Sequence, residues 1–291
     1  MIASAPPGPA PSPIAAGASA LRPPLLTDGQ RFASLQIDDS HVRILDTATG
    51  RSVEVTVPAG CPMSAMGFGQ VVLACGPALI DAASASVHPV PGAVTGGGTG
   101  GSDEFDAIGA QWVQGTGAAA DGTPGNAFVN WHTGERRVIT GHRNVFDLSG
   151  PGPPNLDDPS LSDSRRCSLQ WIYASAGALQ VISGLHGQLL LQRCGQSSRT
   201  GVTLDRCSPT ACDSVSLTPG WATWSRGASA YAYSPRTRRR LSWTFAGFRA
   251  PEYGDGVSVA QTGGHLLFAV PQAAPPGGAD VRFYAAPLPA G

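Results

Sequence analysis

The chain of 291 residues contains no lysine, and only 13% of its residues are charged. Its 19 basic residues, all arginine, are offset by 20 acidic residues, which leaves a formal net charge of -1. Binding to nucleic acid draws most of its strength from an excess of positive charge that neutralises phosphates. We therefore expect no nucleic-acid partner.

Long apolar runs are also missing. No stretch approaches the roughly 18 to 20 uninterrupted apolar residues of a membrane-spanning helix, so we expect no transmembrane segment. The sequence also lacks a sustained apolar stripe of 3.6-residue period, which predicts little helix.

The cysteines lack the paired Cys-x-x-Cys or Cys/His spacing of a zinc site. They are even in number, which favours disulfides and an oxidising compartment, and we therefore expect an exported protein of the extracellular space or cell envelope. The six are Cys61, Cys75, Cys167, Cys194, Cys207 and Cys212.

A hairpin turning near Phe68 brings Cys61 level with Cys75 and predicts a bridge between them. The other four cysteines allow three connectivities, which the sequence leaves open. Cys207 and Cys212 are close enough for a local loop, and that choice would leave Cys167 with Cys194.

The N-terminal residues 1–24 are almost wholly Ala, Pro, Gly and Ser, with neither a charged segment nor an apolar core of a signal peptide. Two small-x-small triplets, at residues 3–5 and 18–20, have the form of a signal-peptidase site. Two interpretations stand: the remnant of a secretion region, with the true start upstream, or a Pro-rich tail.

A glycine followed by an apolar run returns at intervals of about 40 residues, the period of radial β architectures. The copies begin at Gly29, Gly69, Gly109, Gly220 and Gly264. At about 40 residues per blade, six blades fill the chain. We predict an all-β fold, a six-bladed β-propeller of four-stranded antiparallel blades in one domain over residues 25–291. Five or seven blades stay open, because the gap from Gly109 to Gly220 fits two repeats plus an insert.

The second hairpin of each repeat ends in a shared turn: an apolar residue, then Asp, Asn or Ser, two further residues, and Thr or Ser beside Gly. Such aspartates cap their own backbone and such glycines supply a positive φ, so we interpret them as turn formers. The chain ends on a third strand, and the N-terminal run of residues 14–26 is predicted to supply the missing fourth strand. That addition covers an exposed sheet edge.

Together with these turns, the chain resembles WD-type and Tol-B-like propeller repeats. More narrowly, it resembles uncharacterised secreted propeller-like proteins of actinobacterial type. Four short phrases carry the narrower likeness: Leu-Ala-Cys-Gly at residues 73–76, Leu-Asp-Asp-Pro at 156–159, Gln-Arg-Cys-Gly at 192–195 and Arg-Thr-Arg-Arg-Arg at 236–240. The Trp-Asp pair of WD repeats is absent. The resemblance implies a propeller and transfers no catalytic residue.

Candidate ligand-binding residues are few. Asp157 and Asp158 lie in a Pro- and Asp-rich insert at residues 146–166, and inserted loops often carry binding residues. Trp131 stands beside His132 at a turn, where it is predicted to be exposed. We assign no catalytic residue, no metal ligand and no cofactor.

Two functions from different classes fit this sequence. The first is a secreted, monomeric, non-catalytic propeller that binds an unidentified protein or small ligand. The alternative is a lyase or hydrolase with a carboxylate/histidine site at the central channel, since one fold supports both kinds of function. The missing catalytic motif favours the first.

Overall fold

The computed structural model describes residues 7–18, 25–95, 102–140, 172–176, 179–183, 188–193, 201–207, 212–218, 220–248, 256–272 and 280–289. These residues form strands and turns, and they contain no helix, hence none long and apolar enough to cross a membrane. The described strands make six antiparallel sheets of four strands each. The fold is a six-bladed β-propeller, which confirms the predicted fold class.

Three blades belong to one compact unit of the chain and three to another. We name the blades of the first unit A, B and C. Blade A comprises β2 (Leu25–Thr27), β3 (Phe32–Gln36), β4 (His41–Asp46) and β5 (Ser52–Thr56). Blade B comprises β6 (Met63–Gly67), β7 (Gln70–Leu73), β8 (Ala78–Asp81) and β9 (Ser86–Pro89). Blade C comprises β10 (Glu104–Ile108), β11 (Trp112–Ala118), β12 (Pro124–Asn130) and β13 (Arg136–Thr140).

The other unit holds blades D, E and F. Blade D comprises β14 (Ile172–Ala176), β15 (Leu179–Ser183), β16 (Gln188–Arg193) and β17 (Val202–Arg206). Blade E comprises β18 (Asp213–Leu217), β19 (Ala222–Arg226), β20 (Ser229–Tyr233) and β21 (Arg240–Thr244). Blade F comprises β22 (Ser258–Thr262), β23 (His265–Pro271), β24 (Asp280–Pro287) and β1 (Ser12–Ala18).

The N-terminus supplies the fourth strand of the last blade, as the sequence predicts. β1 pairs antiparallel with β24, from Ser12 opposite Ala285 to Ala18 opposite Asp280. The bounds differ from the expected run of residues 14–26, whose last part instead opens blade A as β2. The pairing covers the edge of β24 that would otherwise present unpaired backbone groups.

The apolar cores lie between neighbouring blades of each unit. In blade B, Val71 is buried in the cluster that includes Val42 and Ile44 of blade A. Val72, the next residue, is buried in the cluster that includes Phe105 of blade C. Because successive side chains of a strand point to opposite faces, β7 needs apolar residues on both sides. This requirement explains its continuous Val-Val-Leu run.

In four blades the same turn joins the third strand to the fourth. In each, the N–H of the fifth residue donates to the carbonyl of the first, at 2.8 Å in all four. The first residues are Asp46, Asp81, Asn130 and Ser234, and the side-chain oxygen of each accepts a backbone N–H of its own turn. The turn-forming interpretation of these residues is confirmed.

The fifth residue of this turn has a positive φ in every copy. Two copies use glycine, Gly50 (72°) and Gly134 (76°), as the shared sequence pattern predicts. The other two use Ala85 and Arg238, both at 57°. A residue with a Cβ in the left-handed region loses about 1 to 2 kcal/mol, so blades B and E keep the turn at a cost in stability.

Two described disulfides join cysteines that are near in sequence. Cys61 pairs with Cys75, with Cα atoms 5.0 Å apart, which is the bridge that the hairpin predicts. Cys207 pairs with Cys212, at a Cα separation of 5.6 Å. Cys167 and Cys194 lie outside the described residues, so their pairing stays a prediction.

Arg238 offers a direct test of the turn. Replacing this exposed residue with glycine removes the left-handed strain, and we expect the free energy of unfolding to rise by about 0.5 to 1 kcal/mol. Arg236→Gly is the matched control, because Arg236 is equally exposed in the same turn and its φ is not positive. Urea denaturation should show that the control loses stability. A gain of the same size in both variants would contradict the assignment.

Candidate functional site

The turns between the first and second strands of blades B and C lie side by side. Gly67, the last residue of β6, packs against Ile108, the last residue of β10; a Cβ at Gly67 would lie 3.1 Å from Cγ2 of Ile108. The residues that follow each of these strands therefore share one end of the two blades. We call this end, with Phe68, Trp131 and His132, the aromatic turn face.

Phe68 is the most exposed large apolar side chain among the described residues, at 54%. It forms with Gly69 the two-residue turn between the paired residues Gly67 and Gln70. Both turn residues have positive φ, 53° for Phe68 and 72° for Gly69. Such turns usually begin with Asn, Asp or Gly, because a bulky side chain is strained there. The strained turn holds an aromatic ring in solvent.

Trp131 and His132 stand on the shared turn of blade C, with ring centroids 3.6 Å apart. The side-chain oxygen of Asn130 accepts the backbone N–H of His132. The indole Nε1–H of Trp131 donates to the carbonyl of Gly109 at 3.2 Å. A ring nitrogen of His132 lies 3.1 Å from the carbonyl oxygen of Ala110. These bonds fix both rings on the turn after β10.

Exposure differs between these two rings. Trp131 is half-buried and packs against the apolar cluster between blades B and C, whereas His132 is exposed. One part of Trp131 thus contacts the core and another part faces solvent. Its exposure is lower than its position in a turn predicts. The aromatic turn face can stack against apolar or π surfaces of a partner. The binding role of both residues stays a prediction.

A second feature of this unit is the bulge in the first strand of blades B and C. Pairing with the next strand skips Ser64 in β6 and Asp106 in β10. The Ser64 hydroxyl donates to the Phe105 carbonyl of the neighbouring blade at 2.7 Å. Bulges re-aim single side chains in this way.

At the matching position of blade C, the Asp106 carboxyl is partly buried, and its Oδ1 has no hydrogen-bond partner. Burial raises the pKa of Asp106 to about 6, because the charged form loses hydration, while a backbone N–H of the same residue opposes the rise. The buried oxygen without a hydrogen-bond partner and the raised pKa together make Asp106 a candidate site residue.

Two other acidic side chains of the unit, Asp46 and Asp103, have structural partners. Arg31 binds both Asp46 oxygens, at 3.0 and 2.7 Å, and these hydrogen bonds hold the pKa of the Asp46 carboxyl well below its usual range. Asp103 is buried and binds the Arg136 guanidinium through two bonds of 2.9 and 2.7 Å. The side chains of these acids are therefore engaged in holding turns and strands.

Asp157 and Asp158 lie outside the described residues, together with the rest of the insert at 146–166. Within the part of the chain that the structure describes, no three His, Cys, Asp or Glu side chains come close enough to hold a metal ion.

Sequence reasoning did not single out Phe68 or Asp106 as site residues. For Phe68 a signal exists: a Phe-Gly pair stands where a two-residue turn normally has Asn-Gly or Asp-Gly. For Asp106 there is none, since the position of a bulge is set by pairing between strands and leaves no mark in a single strand's sequence.

No protein-family model and no curated protein sequence matches the chain. Among solved structures it is similar to a calcium-binding protein, regucalcin, from Agrobacterium tumefaciens, with 11% identity, a TM-score of 0.44, and coverage of 98% of this chain and 96% of that one. It is also similar to an oligogalacturonate lyase from Vibrio parahaemolyticus, with 11% identity, a TM-score of 0.47 and coverage of 94% and 92%. Hsv2 from Kluyveromyces lactis shows 8% identity, a TM-score of 0.43 to 0.44 and coverage of 96% and 100%.

Asp106 predicts a specific pH dependence. Its folded pKa of about 6 lies above the ordinary value of 3.8, so between these two pH values the folded chain keeps a proton that the unfolded chain has lost. Its contribution to the free energy of unfolding therefore falls as pH rises from about 4 to about 6, and is constant above. Asp106→Asn removes this effect and should raise the free energy of unfolding at pH 7 by about 1 kcal/mol, a value reduced for partial contact with water.

Glu104→Gln provides the control, because Glu104 is an exposed carboxylate on the same strand. Urea denaturation of both variants and the parent chain at pH 3.5 and pH 7 measures the difference. An Asp106→Asn effect equal at both pH values, or shared by Glu104→Gln, would contradict the assignment.

Proposed function

We propose that this protein is an exported, monomeric binding module without chemistry of its own, and that the aromatic turn face contacts its partner. The observation that carries the proposal is Phe68, an exposed aromatic residue held in the left-handed conformation. Strained residues persist where the surrounding structure enforces them, and they concentrate at functional sites. Asn or Gly would make the same turn without that cost.

The neighbourhood of Phe68 supports this role. Half-buried Trp131 and exposed His132 lie on the turn of the adjacent blade, and each is anchored to the backbone by a side-chain hydrogen bond. Anchored aromatic rings lose little conformational freedom on binding, and Trp and Tyr are enriched at the energetic centres of interfaces. Asp157 and Asp158 of the insert are proposed as further contacts, on sequence grounds alone.

Export is supported by the two disulfides. Structural disulfides are rare in reducing compartments and frequent in secreted proteins. Each bridge contains a buried cysteine, since Cys61 and Cys212 are at most 4% exposed.

A second candidate function rests on Asp106. A carboxyl with a pKa of about 6 is suited to exchange protons near neutral pH, as a lyase or hydrolase requires. Such an enzyme would need a second acid or a histidine within reach of Asp106. The two candidates separate experimentally, because Asp106→Asn leaves partner binding intact if the aromatic turn face is the site.

Photocrosslinking tests the binding proposal. Phe68 is replaced with p-benzoylphenylalanine, and the variant is expressed in cells that export the protein. On irradiation we expect one discrete crosslinked adduct between this residue and the partner. An excess of unmodified chain should suppress this adduct by competition. The same amino acid at Val87, an exposed apolar residue of β9, is the positional control and should give no adduct that competes.

Phe68→Asn used as the competitor sharpens the experiment. Asn enters the left-handed region more readily than Phe, so this variant should be about 1 kcal/mol more stable than the parent chain. It should nevertheless compete at least tenfold less well. Equal competition by the two chains, or identical adducts at positions 68 and 87, would refute the proposal.

A further inference from the structure

The segment before β1 lies along the outer strand of blade E. Pro7 forms a parallel bridge with Ser242, and the Gly8 N–H donates to the Ser242 carbonyl at 2.7 Å. In return, the indole Nε1–H of Trp243 donates to the carbonyl of Pro9 at 2.8 Å. We call residues 7–9, a Pro-Gly-Pro triplet, the strap.

The contact selects for glycine at the middle position. A Cβ at Gly8 would lie 2.1 Å from Cε2 of Trp243 and 2.2 Å from Cζ2, so it would overlap the indole. Trp243 is only 5% exposed and also packs on Phe268, with ring centroids 5.3 Å apart. The strap therefore completes the cover of this indole, and no other residue fits where Gly8 lies.

The strap is held far less firmly than the strand that follows it. Residues 6, 7, 9 and 11 are all proline, so only Gly8 and Ala10 have an N–H in this stretch, and it cannot form a continuous ladder. Within residues 7–9 only Gly8 has a backbone N–H to donate to β21, whereas β1 pairs with β24 from Ser12 to Ala18 with one irregularity between Pro13 and Ala15. Segments with so few backbone donors open locally without unfolding the element next to them.

We propose that the outer edge of β21, with Trp243, is a binding site for peptides that contain Pro-Gly-Pro. In the resting chain the strap occupies this site, and when the strap detaches the site accepts the same kind of peptide from another protein. Proline-rich segments suit such a site because they are already extended and lose little entropy on binding, and aromatic residues commonly receive them. This site is separate from the aromatic turn face.

The strap also sets the apparent affinity. Contacts this few are expected to give a dissociation constant on the order of 0.1 to 1 mM for a free peptide. A tethered strap acts at an effective concentration of several mM, so it should weaken binding of a free peptide by about tenfold. Removing the strap from its site should therefore strengthen binding of the free peptide by about tenfold.

The test uses the full chain with Gly8→Val, whose side chain overlaps the Trp243 ring and displaces the strap. Ala10→Val is the matched control, since Ala10 is exposed in the same segment. The probe is a synthetic peptide of residues 5–11, and the readout is the indole N–H resonance of Trp243, assigned with Trp243→Phe. We expect the resonance to move in Gly8→Val, to stay in Ala10→Val, and to return as peptide is added.

A peptide that carries valine in place of Gly8 should have no effect, and the unmodified chain should need about tenfold more peptide for the same response. Failure of the peptide to restore the Gly8→Val resonance, or an equal response to the valine peptide, would overturn the proposal.

Hydrogen exchange of the unmodified chain keeps the proposal testable even if Gly8→Val does not fold. We expect the Gly8 N–H and the Trp243 indole N–H to exchange at least about 100-fold faster than the paired amides of β1, because the strap opens locally. If the Gly8 N–H exchanged as slowly as the β1 amides, the strap would not open independently of the blade, and the proposal would be overturned.

Discussion

The register of four blades depends on one backbone hydrogen bond that joins the residue before strand two to the residue after strand three. Its donor follows the turn-capping residue in blades A, B and C and follows β24 in blade F. Thr47 donates to Arg31, Ala82 to Gly69, Trp131 to Gln111 and Leu288 to Gly264, at 2.7 to 3.0 Å. A slip of one residue between strands would turn every side chain to the opposite face of the sheet. Because the bond extends the pairing of strands two and three by one residue, it opposes such a slip. The apolar faces between blades can then stay buried.

Once the backbone is satisfied in this way, the side chains of the turns are free to differ. Blade A uses them for the Arg31 and Asp46 ion pair, and blade B for a bond from Gln70 to Asp81 at 2.8 Å. Blade C instead presents Trp131 and His132. Blade E has Pro235 where the donor would be, and it keeps the inner turn bond from Arg238 to Ser234. A common frame with varied turns is how one fold supports different binding functions.

Sequence reasoning reaches the fold because its signals are local. The capped turns, the left-handed Gly50 and Gly134, the Cys61 to Cys75 bridge and the closing N-terminal strand each follow from a few neighbouring residues. Blade D shows the limit. In sequence, residues 189–195 resemble residues 71–76, which include the second strand of blade B. Pairing nevertheless makes β16 the third strand of its sheet. The bulge at Asp106 and the fit of Gly8 against Trp243, 235 residues away, depend on partners that no local pattern names. The strain at Phe68 is an intermediate case, since an unusual turn pair marks it.

The most direct test of this account is hydrogen exchange at the amides of Thr47, Ala82 and Trp131. All three belong to turns, and an ordinary surface turn exchanges its amides quickly. If the bond between the turns holds the register of the blades, these amides exchange as slowly as those in the centres of strands β4, β8 and β12, by way of global unfolding. Rapid exchange at all three positions, with the strand amides still protected, would contradict the central claim.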